Sequence, residues 1–147
     1  MLFRSNYETA LENIMSRTDA EGVSLNLGSA KTVLVVSSKN RSLGKQILEN
    51  QLIGGGNSNP NFQASDLKVW SYLDALAADS WFLFAYGQVR KPWIKQVREA
   101  FGTSMDTTPN SPHVINQGEF LFKIRGRMNI GAGESLFSYG STGADAA

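Results

Sequence analysis

The chain has 147 residues, 41% hydrophobic and 10% aromatic, with 14 Lys and Arg against 13 Asp and Glu, one His and no Cys. That length carries one domain, or two small lobes, with a real core, and the composition excludes disorder of the whole. A net charge of +1 argues against strong whole-molecule attraction to nucleic acid, and the lack of Cys excludes a disulfide framework or a thiolate metal site.

The opening Met1-Leu2-Phe3-Arg4-Ser5 can be encoded by ATG followed by CTCTTCCGATCT, the end of a widely used sequencing adapter, so residues 1–5 are read as adapter-derived. Residues 6–22 then predict an amphipathic helix. Tyr7, Leu11, Ile14 and Met15 recur on one face, and the polar stop at 18–22 contains a glycine suited to a helix end. The run at 32–36 is β-branched and apolar on both faces, which predicts a short central strand. After a turn at 37–41, Leu43, Ile47 and Leu48 form a second helical stripe, weakened by Gly44.

Gly54, Gly55, Gly56, Asn57, Ser58 and Asn59, closed by Pro60, combine backbone freedom with turn formers and are expected to form a mobile surface loop without regular structure. The alternating stretch 67–72 and the aromatic run 81–86 predict strands, separated by a hairpin loop or a short helical turn.

The longest periodic stretch is 118–129. Phe120, Phe122, Ile124 and Met128 point one way and Lys123, Arg125, Arg127 and Asn129 the other, with Gly126 marking a bend or a close approach. At about 3.3 Å per residue this strand runs for roughly 40 Å, which outgrows a small core and needs a partner. The partner expected is 93–101, with the turn-rich segment 102–112 joining the two in a long antiparallel ribbon. Seven of the 14 Lys and Arg residues fall within 90–127, against three acids there, so the ribbon is locally basic. The glycines at 131 and 133 should break it before a last apolar element at 134–139 and a polar tail.

No catalytic constellation stands out. The glycines at 54–56 lack a following Gly-Lys-Ser/Thr, the single His113 cannot make a two-histidine site and reads as a surface loop residue, and Gly-x-Ser-x-Gly is absent. No metal, cofactor or catalytic residue is therefore assigned. Trp70, Trp81 and Trp93 could stack on a ligand but more often serve as core. No apolar run approaches the ~20 residues of a membrane helix, and no leader pattern begins the chain, which points to a soluble product made inside the cell. Lys123, Arg125 and Arg127, with Lys95 and Arg98 on the partner strand, form the candidate interaction surface. Alternation alone would put polar residues there, and a solvated or subunit-facing row competes with a phosphate-binding one.

Ordered landmarks carry a resemblance over most of the chain. They are Gly22-x-x-Leu25-x-Leu27-Gly28 before Val33-Leu34-Val35-Val36, Gly-Gly-Asn-Ser-Asn-Pro at 55–60, Trp81-x-Leu83, Arg90-Lys91-Pro92-x-Ile94, Gly118-Glu119-Phe120, Arg127-x-Asn129-x-Gly131-x-Gly133 and Gly140-Ser141. In these the chain resembles the major head subunits of Mu-like tailed phages, capsid proteins of the Hong-Kong-ninety-seven-type fold. The resemblance implies an α+β fold, with an axial lobe of mixed sheet and flanking helices at 23–90, a peripheral-lobe β-ribbon at 91–133, a returning strand at 134–141 and a tail at 142–147.

It also implies a C-terminal portion of a head subunit that assembles with copies of itself in capsomers, located in the virion after assembly in the bacterial cytoplasm. Non-specific contact with packaged DNA, a 54–59 loop near a capsomer axis, core-facing Phe120, Phe122 and Ile124, and intersubunit or interior contacts by Lys123, Arg125 and Arg127 are further implications. Two alternatives stay open at this point: another virion component such as a tail or baseplate subunit, and a nucleic-acid-binding module using the basic strand.

Overall fold

A computed structural model describes residues 3–77, 79–88 and 90–142. They form an α+β protein of two compact units, one reaching Pro92 and resuming at Gly133, the other spanning Trp93–Ala132.

In the first unit, helix α1 (Phe3–Met15) buries Tyr7, Ala10 and Ile14 completely, a spacing of three and four that defines one helical face. Met15, expected on that face, is partly exposed at the helix end. The turn that follows is closed by Asp19, whose Oδ1 accepts from the amides of Glu21 and Val23, and Gly22 takes φ +79° there.

A four-stranded mixed sheet, β4-β1-β5-β8, supports this helix. Strand β1 (Lys31–Val36) runs parallel to β4 (Asp66–Val69) and antiparallel to β5 (Trp81–Tyr86), which pairs with β8 (Ser138–Ser141). The central position expected for β1 follows from its apolar residues on both faces. Thr32, Leu34 and Val36 pair with Ala85, Leu83 and Trp81, and all six are buried. All but Thr32 make one core with α1, with Phe137 and with Ile47 and Leu48 of helix α2 (Arg41–Leu48). Gly44 permits the close approach of α2, since a Cβ there would lie 2.8 Å from Leu67 Cδ1.

Two local expectations are revised, and one open alternative is decided. Residues 54–59 are not an irregular loop: β2 (Leu52–Ile53) pairs with β3 (Asn57–Ser58) as a hairpin, and the three intervening glycines turn it, Gly55 and Gly56 at φ +84° and +80°. Glycine freedom allows a turn here rather than disorder. Strand β4 ends at Val69, and helix α3 (Tyr72–Ala77) occupies the connection to β5, so the helical turn is the alternative realised. β4 does not pair with β5, because β1 lies between them.

The second unit is a two-stranded antiparallel sheet, β6 (Trp93–Asp106) with β7 (Leu121–Ala132). β6 continues through the segment expected to turn, since Gly102–Asp106 pairs with residues 121–125. Gly131 and Ala132 also remain in the ladder. At the tip, helix α4 (Pro112–Gln117) replaces the expected loop and carries His113. Its signals are local: Ser111 Oγ accepts from Val114 N, Pro112 opens the first turn, and Gly118 closes it at φ +67°.

Candidate assembly surface

β6 has 14 residues and β7 has 12, and the pairing register shifts twice, between Val97 and Glu99 and between Glu99 and Gly102. Each shift inserts one extra residue into β6, a β-bulge. Because paired residues share a face, the register sorts the ribbon's side chains. Lys123, Arg125, Arg127 and Asn129 lie with Ser104, Gly102, Glu99 and Gln96 on a polar face. Phe122, Ile124, Met128 and Ile130 lie with Met105, Thr103, Val97 and Lys95 on the other.

The candidate cations are therefore not one set. Lys95 pairs with Ile130 and stands on the apolar face, away from Lys123, Arg125 and Arg127. Arg98 sits at the first bulge, outside the pairing register, and lines a shallow groove with Gln96, Arg127, Met128 and Asn129. Arg125 Nε is held by Glu99 at 3.1 Å. Alternation alone would not have found these positions, since a bulge shifts the phase without leaving a mark in the hydropathy pattern.

The expectation that Phe120, Phe122 and Ile124 face the core is not met. In this chain they are 59%, 63% and 73% exposed, and Phe101 is 71% exposed. The physical reason is that a two-stranded sheet has no second layer of its own to cover an apolar face. Gly126 does mark a close approach, because a Cβ there would lie 2.5 Å from the Phe101 ring, which rests over the glycine.

The 52–58 hairpin exposes Gly54, Gly55, Gly56, Asn57 and Ser58, but Asn59 is 4% exposed and structural. Its Nδ2 donates to Ile47 O and Asn50 O, and its Oδ1 accepts from Arg4 Nη2 and Asn61 N. Of the tryptophans, Trp81 is core, while Trp70 and Trp93 are exposed.

A groove in the first unit, lined by Arg4, Gln46 and Asn50 with apolar neighbours, brings together no nucleophile and base. Among the described residues no group of three or more His, Asp or Glu is placed to hold a metal, and no helix is long and apolar enough to cross a membrane. Burial raises the Tyr7 phenol above its ordinary 10.0, only partly offset by its hydrogen bond with Ser65, and the Asp66 carboxylate that accepts from Tyr86 pushes that phenol up.

These features define an α+β protein whose most extended surface is an amphipathic ribbon rather than a cleft. The chain belongs to the family described as Mu-like prophage major head subunit gpT, whose sequence model matches residues 1–73 and 66–144. The family is one of structural head subunits, and its role is in the phage head. No curated protein and no solved structure matches the chain.

Proposed function

We propose that the chain acts by self-association, as a subunit of the shell that encloses phage DNA, and that it performs no reaction. The family match over residues 1–73 and 66–144 carries this reading. The exposed apolar face of β6 and β7 supports it, since such a face is stable in water only when another surface covers it. On this reading the first unit is the axial lobe of a Hong-Kong-ninety-seven-type subunit and the ribbon belongs to its peripheral lobe. Lys123, Arg125 and Arg127 make contacts between subunits or with the interior, and Gly54–Gly56 with Asn57 and Ser58 lies towards a capsomer axis.

The test is expression of the complete reading frame and electron microscopy of the product. Closed shells are expected, and replacement of Lys123, Arg125 and Arg127 by Gln should impair their formation without unfolding the protein. A product monomeric at every concentration would overturn the reading. In the same particles, cysteines placed by Asn57→Cys should cross-link within capsomers, and failure to do so would remove the axial placement of the hairpin.

A further inference from the structure

We propose that the apolar face of the ribbon packs against the same face of a second copy, the two ribbons running in opposite directions about a two-fold axis near Phe101 and Gly126, with Lys95 of each copy meeting Glu119 of the other. This deepens the reading above and rests on its self-association, for which it names the partner surface and the orientation.

The face is continuous. A Cβ built on Gly126 would meet the Phe101 ring, so the ring stands on the side that Ile124 and Met128 share and fills the gap the glycine leaves in their row. The row then runs unbroken from Phe122 through Ile124, Phe101 and Met128 to Ile130. Over the 12 residues of β7 it extends roughly 40 Å at about 3.3 Å per residue. A flat apolar strip of that length is covered by a second sheet laid on it, and a pair that uses the same strip on both sides closes without a further partner.

Charge sets the direction. Lys95 is the one charged residue among those paired on this face, and it stands at the base of the ribbon. Between Arg98 and Lys123 the chain has no Lys or Arg, and Asp106 and Glu119 stand at the tip. Asp106 accepts from Ser111 Oγ, whereas Glu119 is exposed and, like Lys95, takes part in no ion pair among the described residues. Ribbons aligned base to base would set Lys95 against Lys95 and desolvate two like charges. Phe122 and Ile130 are each four residues from Gly126, so opposed ribbons bring Lys95, the partner of Ile130, level with the Met105 and Phe122 pair of the other copy, beside its acidic tip.

Sedimentation velocity of the full chain across concentration tests the charges. Lys95→Glu and Glu119→Lys should each weaken the dimer about tenfold, the combined effect of two ion pairs at an interface edge. The exchange Lys95→Glu with Glu119→Lys should restore it, and a failure to restore would overturn the proposal. Because the chain has no Cys, single cysteines report the direction. An Ile130→Cys chain mixed with a Met105→Cys chain should be joined by a bis-maleimide spanning about 10 Å, the separation of packed sheets, and Ile130→Cys alone should not. Linkage of Ile130→Cys to itself would mean aligned ribbons, and no linkage in either case would mean that a different surface of the second copy covers the face; both overturn the proposal. Joined dimers whose complete reading frame never forms shells would remove the head reading and leave this packing standing, whereas shells whose ribbons do not link would do the reverse.

Discussion

The Tyr7 phenol is buried between α1 and the sheet and shares a hydrogen bond with Ser65 Oγ, which is bonded in turn to Thr32 Oγ1. Such a chain of hydroxyls satisfies polar atoms that would be costly to bury alone. Because burial raises the Tyr7 pKa, the folded chain holds this proton to higher pH than the unfolded chain does. Stability is then at its full value below the ordinary 10.0 and declines as pH rises from there through the raised folded value. Tyr7→Phe should cost about 1 kcal/mol at neutral pH by removing the hydroxyl's bond, and should flatten that alkaline decline. Urea unfolding at neutral and alkaline pH checks both parts; an unchanged alkaline decline would assign it to another group. The periodicity of α1 put Tyr7 on the buried face. Its partners were not legible, because Ser65 lies 58 residues away and only folding brings it there.

At the scale of elements, Gly44 illustrates how packing overrides propensity. Inside α2 an alanine gains about 1 kcal/mol in helix propensity over glycine. Against that, its Cβ would stand 2.8 Å from Leu67 Cδ1, with Val36 Cγ2 also near, and overpacking costs roughly 1–3 kcal/mol. Gly44→Ala is therefore expected to lower stability by about 1 kcal/mol in urea unfolding, while an increase would mean that Leu67 gives way freely. Read from the chain alone, Gly44 looks like a weakness of the helix. Helix α4 shows the converse failure: Ser111, Pro112 and Gly118 are sound local signals, yet the segment contributes no buried side chain and has little hydrophobic period to draw attention to it. The ribbon's length was legible because alternation is local. Its two bulges were not, since register is a property of the pair of strands.

At the scale of the whole molecule, the two units are stabilised differently. The first has a continuous core containing α1, α2 and the sheet, whereas the second has hydrogen-bonded strands and largely exposed apolar side chains. An uncovered face of this kind drives association. Phe122→Ser with Ile124→Ser should shift the isolated chain towards monomer in sedimentation velocity. It should leave the thermal unfolding of the first unit unchanged, since neither residue belongs to its core. Equal association by the variant would show that another surface is responsible.

By itself the sequence determined the α+β class, the central strand β1, the aromatic strand β5, the long ribbon and the resemblance to Mu-like head subunits. These rest on periods and motifs that neighbouring residues carry along the chain. The tertiary structure alone decided that β4 lies beside β1, that Asn59 is buried, that Lys95 and Arg98 part company, and that Phe120, Phe122 and Ile124 face outwards. Each of those depends on which distant segments meet, and on whether a second layer exists to cover a face, and no local pattern encodes either.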